Sequence, residues 1–351
     1  MVALVRSHTV NLTDSALDPP TRAVRGALGR VPSRAHHACR PPVPSPRPGL
    51  AVTVGGPGGP PLAFQPVISV VAAVTDGDDH LGETIGSVLD QSERDFELVL
   101  FDNASRDATL EVMRSFSDPR IRIARTGERL PRSEARNRAL QLCQAPLVKT
   151  VVDGDLLHPR CLELQSQPLL DDPGLALVAS RRHVVDDRSR VLVPRRGLSG
   201  LIGTRSGDEV ARKIVRSRAN LIGDACNVLF RRESFAAAGG WRGRRDELLD
   251  LDCWLRLLHH GDFLGRPEPL AAVRMNGTEG QPGYADRVAG EHHAIVAELT
   301  DSEAYEVSAT DRALGTLIAP VGALRRAGLG VVASRSARRA EKERARELAD
   351  A

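Results

Sequence analysis

Residues 67–74 form a nearly continuous apolar run, the pattern of a strand buried on both faces. Leu81, Ile85, Val88 and Leu89 follow at helical spacing. Residues 96–101 read as a second buried strand. Residues 107–116 read as a helix with Asp107 as its N-cap. A short strand at 121–123, a helix at 133–143 and a strand at 147–152 continue the alternation. Strands and helices in this order predict an α/β fold, a mostly parallel sheet sandwiched by helices. Ligands on such sheets bind beyond the carboxyl ends of the strands.

After a strand at 175–179 the alternation fades. Residues 181–207 are basic and glycine-containing and read as a loop region. Residues 227–230 predict a strand, and 232–238 a short helix ended by Gly239 and Gly240. Residues 248–260 predict a strong helix with Leu251, Trp254, Leu255 and Leu258 on one face, stopped by Gly261. Trp254 is expected in the core, and His259 and His260 in solvent. Residues 281–351 read as a helical C-terminal extension that ends in a highly charged stretch from 337. No internal repeat is present.

Residues 1–65 break from this pattern. They hold 11 of the 23 prolines, seven arginines and only two acidic residues. Such a segment buries too little apolar surface to offset its ordering entropy, so it is expected to be a disordered tail.

Composition narrows the class without choosing within it. Of 351 residues, 41% are apolar and 26% charged, which is globular. The net charge of +3, with few aromatics among the basic residues, gives no reason to expect nucleic acid. Cys39, Cys143, Cys161, Cys226 and Cys253 lie far apart in no metal-ligand spacing, which suits reduced thiols. Neither a secretory signal nor a bilayer-spanning run is apparent. The expectation is a cytoplasmic protein whose membrane contact is at most peripheral.

The chemistry concentrates where the strand at 147–152 ends, in Asp153-Gly154-Asp155. Two carboxylates two apart on a strand share a face, and a glycine between them admits a close ligand. Such a pair suits a hard divalent cation that also holds phosphate oxygens. Asp-Gly is equally common in plain surface turns. Asp102 falls at a second strand end, where it could instead cap the following turn. Asp250 and Asp252 open the helix at 248–260, where acids are also favoured by the helix dipole.

Four blocks in order resemble the family 2 glycosyltransferases of the GT-A nucleotide-sugar-binding fold. Residues 67–92 resemble the first strand and helix, ending in Ser87-Val88-Leu89-Asp90-Gln91-Ser92. Residues 96–109, with Asp102-Asn103-Ala104-Ser105, look like the second strand and its Asp-rich turn. Glu134-Ala135-Arg136-Asn137-Arg138 is similar to the helix before the metal motif. Residues 227–241, followed by Leu249-Asp250-Leu251-Asp252-Cys253-Trp254, look like the acceptor-side segment. The resemblance covers about residues 66–275, with a nucleotide-sugar-binding half at 66–205 and an acceptor-side half at 206–280.

The resemblance implies a nucleotide-diphosphate sugar donor, an unidentified acceptor hydroxyl, Mg²⁺ or Mn²⁺, and transfer with inversion. It assigns Asp102, Arg136, Asn137 and Asp153 to the donor, Asp155 and Asp153 to the metal, and Asp250 to the catalytic base. Asp252, its neighbour, is the alternative base. The departures are Leu156, where the family commonly has a further aspartate, Leu249 in place of a carboxylate, and no histidine in residues 274–278. Thr75-Asp76 also stands where the family commonly has Tyr-Asn. These departures leave open an inactive binding module on the same fold. A sugar-nucleotide nucleotidyltransferase is the remaining alternative, but the 75–80 loop holds only Gly77 and no lysine precedes Lys149.

Overall fold

The computed structural model describes residues 52–54, 66–275, 281, 283–301 and 304–317. The first half alternates as its pattern predicts. Strands β1 (Val52–Val54), β2 (Ile68–Val74), β3 (Phe96–Asp102), β4 (Ile121–Thr126) and β5 (Leu147–Val151) are interleaved with α1 (Leu81–Leu89), α2 (Thr109–Ser115) and α3 (Arg132–Gln141). Strands β4, β3, β2 and β5 lie side by side and parallel. All seven residues of β3 are buried, as a continuous apolar run requires when both faces are covered.

The second half continues the same sheet. It contains β6 (Leu156–Leu157), α4 (Cys161–Asp171), β7 (Leu175–Val185), β8 (Val191–Arg196), β9 (Gly203–Arg205) and α5 (Gly207–Ser217). Then follow β10 (Val228–Arg231), α6 (Arg232–Ala237), α7 (Leu249–Leu257), β11 (Asp262–Arg274) and α8 (Tyr284–Asp301). Strand β10 enters antiparallel between β5 and β7, and β11 runs parallel to β7. Residues 206–280 therefore contribute β10 and β11 to the same sheet instead of forming a sheet of their own. One face is packed by residues of α1 and α4, the other by residues of α3, α5, α7 and α8.

Several elements depart from the expectations. The basic stretch 181–207 is not a loop: β7 runs on to Val185, and β8 and β9 pair with β7 and β11. Charge hid this strand, because Arg182 is buried yet ion-paired to Asp224, Nε to Oδ2 at 2.8 Å. Strand β11 was hidden by Pro267 and Pro269. Its register shifts on both sides of Pro269, the irregularity that lets a proline sit in a ladder. Asp107 does not cap α2. It lies one residue ahead of the cap position, where its Oδ1 accepts from the Thr109 N–H at 3.0 Å.

In the expected tail, Val52–Val54 forms a strand paired antiparallel with β4. The rest of that expectation lies outside the described residues, as does the charged C-terminal stretch. Among the described residues, α8 and a helical segment at 309–317 bear out the helical C-terminal part. Trp254 is buried, and His259 and His260 are exposed, as expected.

Candidate active site

The ends of β2, β3 and β5 lie in register, with Val74 opposite Asp102. The loops that follow are laced together. The Gly77 N–H donates to Thr109 Oγ1 at 2.8 Å, and the Arg106 N–H to Asp76 Oδ1 at 2.8 Å. A side chain at Gly77 would meet the Asp153 Cβ at 2.9 Å, so this loop presses directly on the Asp153 side chain. Asp102 is fully buried. Its Oδ1 accepts from the Ser105 N–H at 2.9 Å, and its Oδ2 faces Arg125 Nε at 2.9 Å. It caps the turn that shapes the β3 loop at the strand end.

Asp153 and Asp155 do not share a strand face, because β5 ends at Val151. They sit on a tight turn closed by the Asp155 N–H to the Val152 carbonyl at 3.0 Å and the Val152 N–H to Asp155 Oδ2 at 2.9 Å. Gly154 between them has φ +87°, and its N–H donates to Thr84 Oγ1 at 2.9 Å. A Cβ there would meet the Arg274 side chain at 3.2 Å. This is not a solvated surface turn, since Asp155 is 5% exposed.

Burial drives the Asp155 carboxyl up to about 7, with Asp224 and Asp153 adding like-charge repulsion and the Val152 N–H opposing. Burial also raises Asp153, against the pull of His80 and Arg136. Among the described residues neither carboxylate has an arginine or lysine within ion-pair distance. A divalent cation would relieve both, and hard carboxylate oxygens suit Mg²⁺ or Mn²⁺. Among the described residues no group of three or more His, Cys, Asp or Glu is arranged to hold a metal ion. The pair would hold one only with oxygens from a diphosphate or from water.

Helix α7 supplies the opposite side. Asp250 lies in its first turn, with Oδ1 accepting from Arg136 Nη1 at 2.7 Å and Oδ2 from the Ala225 N–H at 3.1 Å. Asp252 points elsewhere. It is buried between Arg245 and Arg256, the latter at 2.9 Å. Two positions apart on a helix, these side chains leave on different sides.

On α3, Arg136 reaches Asp250, lies 5.8 Å over the Trp241 ring and acts on Asp153 from the other side. Asn137 does something different from the donor contact expected of it. Its Nδ2 donates to the Trp241 carbonyl at 2.8 Å and its Oδ1 accepts the Trp241 N–H at 3.0 Å. Both ends of the amide therefore hold the turn after α6.

Two of the positions that depart from the family pattern, Leu156 and Leu249, are core positions, while Thr75 and Asp76 are exposed. Leu156 is 7% exposed on β6, packed with Val185 and Ala272, and Leu249 is 2% exposed. Sequence reasoning missed three neighbours of the aspartate turn. Arg274 packs against Gly154 and donates to Glu83 Oε2 at 2.7 Å, Ser189 Oγ at 2.9 Å and the Asp186 carbonyl at 2.7 Å. Asp224 and His80 act on Asp155 and Asp153. Only tertiary contact brings these three to the turn, and no local spacing signals it.

The family model "Glycosyl transferase family 2" matches residues 69–239, from β2 to the end of α6, and stops short of Asp250. The chain is 27% identical over 216 residues to an uncharacterized protein of Mycobacterium tuberculosis (strain CDC 1551 / Oshkosh), covering 60% of this chain and 67% of that one. It is 26% identical over 205 residues to EpsE of Bacillus subtilis (strain 168), which carries a glycosyltransferase name, covering 56% and 68%. In fold it resembles a mannosyltransferase from Pyrobaculum calidifontis, with a TM-score of 0.51 at 17% identity over 82% of this chain and 81% of that one. With the family's segments falling in order on the strand ends just described, residues 69–239 carry the match to glycosyl transferase family 2, on a sheet that resembles the GT-A fold.

Proposed function

We propose that this chain transfers a sugar from a nucleotide-diphosphate donor to an acceptor hydroxyl with inversion, using Asp250 as base and Mg²⁺ or Mn²⁺ at Asp153 and Asp155. The observation that carries the reading is the contrast across Arg136. On one side stand carboxylates that pair with no arginine or lysine among the described residues, and on the other a carboxylate held between an arginine and a backbone N–H. The metal, when bound, neutralises the charge gathering on the leaving diphosphate.

The protein's own groups do the rest. Asp155 and Asp153 orient the diphosphate at the end of β5. Asp102 and the laced loops after β2 and β3 shape the nucleotide end, with Arg125 setting the Asp102 carboxylate. The acceptor oxygen attacks the anomeric carbon from the side opposite the departing phosphate, which inverts that centre. Its proton passes to Asp250, whose oxygens keep a free lone pair beside each of their two hydrogen bonds. A base so placed typically contributes ~10²–10⁴-fold to the rate. Arg136 orients the Asp250 carboxylate, and Asn137 positions Trp241 beneath Arg136 without touching the donor.

This reading places the chain in the cytoplasm, where nucleotide sugars are made. None of the described helices is long and apolar enough to cross a membrane. GDP-Man and Mn²⁺, present with the Pyrobaculum calidifontis protein, are natural first probes. A thermal-shift panel of UDP- and GDP-sugars, with and without Mn²⁺, tests the reading, since a ligand that binds only the folded state raises apparent stability. One donor is expected to raise the melting temperature only when Mn²⁺ is present. A panel with no metal-dependent shift would overturn the donor assignment.

A further inference from the structure

Beneath both carboxylate centres runs a polar chain that the transfer mechanism does not use. Lys149 on β5 is fully buried, and its Nζ donates to Gln165 Oε1 on α4 at 2.6 Å. Gln165 Nε2 donates onward to Ser180 Oγ on β7 at 3.1 Å and to the Asn227 carbonyl at 2.9 Å. The Asn227 side-chain amide donates to the Ser180 carbonyl at 3.2 Å and to the Ile222 carbonyl at 2.8 Å. All four residues are 0% exposed.

Stability alone does not explain such a chain. Desolvating an amine and three polar side chains costs free energy that a well-packed apolar set would not incur. Its hydrogen bonds instead converge on one place, the 3₁₀ turn Ala225–Asn227 ahead of β10. That turn touches both halves of the site. The Ala225 N–H donates to Asp250 Oδ2 at 3.1 Å, and the Cys226 thiol lies within hydrogen-bond reach of the Asp155 carboxylate. A 3₁₀ turn of three residues has few internal bonds with which to hold its own position.

We propose that Lys149, Gln165, Ser180 and Asn227 form a positioning device that seats the Ala225–Asn227 turn and so fixes the Asp250 carboxylate at the acceptor. The inference rests on Asp250 being the base. None of the four touches a reactant. They act through the Ala225 N–H, and misplacing a reacting group by about 1 Å can cost on the order of 10²-fold in rate.

Gln165→Met keeps the side-chain length and deletes the central link, leaving Lys149 Nζ without its acceptor and the Asn227 carbonyl without its main donor. The assay is Mn²⁺-dependent release of nucleotide from UDP-glucose and GDP-mannose, with hydrogen exchange at the Ala225 amide followed in parallel. In Gln165→Met, kcat is expected to fall ~10-fold or more, donor KM to stay within ~2-fold, and the Ala225 amide to exchange faster than those of β5. Combined with Asp250→Asn, the loss should be no greater than for Asp250→Asn alone, because both changes act on one carboxylate. Ser180→Ala, which removes a single hydroxyl, should lower kcat ~3-fold and keeps the test open if Gln165→Met does not fold.

Wild-type kcat and wild-type Ala225 protection in Gln165→Met, or in Ser180→Ala if only that variant folds, would overturn the positioning role. So would full additivity with Asp250→Asn. An Asp250→Asn protein with wild-type turnover would instead overturn the base assignment on which the inference stands. A dead Asp250→Asn beside an unaffected Gln165→Met overturns the positioning role alone.

Discussion

Asp155 and Asp250 both meet the Ala225–Asn227 turn, yet their surroundings are opposite in charge. Asp155 is buried with two carboxylates acting on it, and its own carboxyl is pushed up to about 7. Asp250 meets Arg136 at 2.7 Å and a backbone N–H at 3.1 Å, and keeps 16% of its side chain exposed. Among the described residues, no arginine or lysine pairs with the aspartate turn. The α7 carboxylate has its neutralising group built in. A carboxylate left short of cations is suited to holding a metal and a diphosphate. One that is pre-paired and partly open is suited to holding its charge until a proton arrives.

Removing Asp155 should break the first side completely. Asp155→Ala is expected to abolish Mn²⁺-dependent donor binding in calorimetry while the far-ultraviolet circular dichroism stays native. Undiminished metal-dependent affinity would show that the cation is held elsewhere. Removing the charge on the second side should spare binding and stop turnover. Asp250→Asn is expected to lower kcat by ~10²-fold or more with donor affinity retained.

Asp252→Asn sharpens the same contrast from within α7. Asp252 lies between Arg245 and Arg256 and away from Asp250, so its loss should appear in stability. Breaking a buried pair costs about 3 kcal/mol, read as a lower denaturation midpoint, while turnover below the transition falls only a few-fold. If Asp252→Asn is the dead variant and Asp250→Asn is active, the two carboxylates have exchanged roles.

The shifted carboxyl makes the aspartate turn pH-sensitive in a defined direction. The Asp155 carboxyl ionises near 3.8 in an unfolded chain and at about 7 in the fold. Between those values the folded protein binds the extra proton, so stability falls as pH rises through the window. The fall is complete above about 7. Metal-free protein should therefore melt lower at pH 8 than at pH 5. Saturating Mn²⁺ should reverse the order, because the cation binds the ionised pair. Asp155→Asn should flatten the metal-free profile. A wild-type profile that rises from pH 5 to pH 8 without metal would show that the turn is not the dominant titrating group.

The four strands of the parallel alternation, β2 to β5 up to the aspartate turn, were largely legible in the chain and the strands after Ala179 largely were not, for physical reasons. Strands β2, β3 and β5 are buried on both faces, so their apolar runs announce them. Strands β8, β9 and β11 and the second half of β7 carry arginines, prolines and glycines that break an apolar pattern, and the buried Arg182 depends on Asp224, a partner far along the chain. For the candidate site, motif order singled out Asp153, Asp155 and Asp250. It could not show that Asn137 turns to the Trp241 backbone or that Arg274 packs on Gly154, since each is fixed by a contact more than a hundred residues away. The assumed strand face for the aspartate pair was wrong locally, because β5 stops two residues before Asp153.

The smallest expected effect lies at the far edge of the sheet, where the contrast between the two carboxylate centres should not reach. Val52–Val54 pairs with β4 at Val52–Thr126, Thr53–Arg125 and Val54–Ala124. A chain beginning at residue 66 would bare that edge and return a few backbone groups to water. The loss should be about 1 kcal/mol, or ~2 °C in melting temperature. A chain beginning at residue 50 keeps β1 and should melt with the full-length protein. Turnover should be unchanged in both, because β3 and β2 separate this edge from β5 and the aspartate turn. The one route inward is Arg125, which faces β1 in register and holds Asp102 at 2.9 Å. A loosened Arg125 would appear as a donor KM raised by up to ~2-fold with kcat constant, well below the few-fold reach of an exposed ion pair. A ten-fold fall in kcat on removing residues 1–65 would show that the N-terminal segment completes the site, and the contrast would then need a third participant.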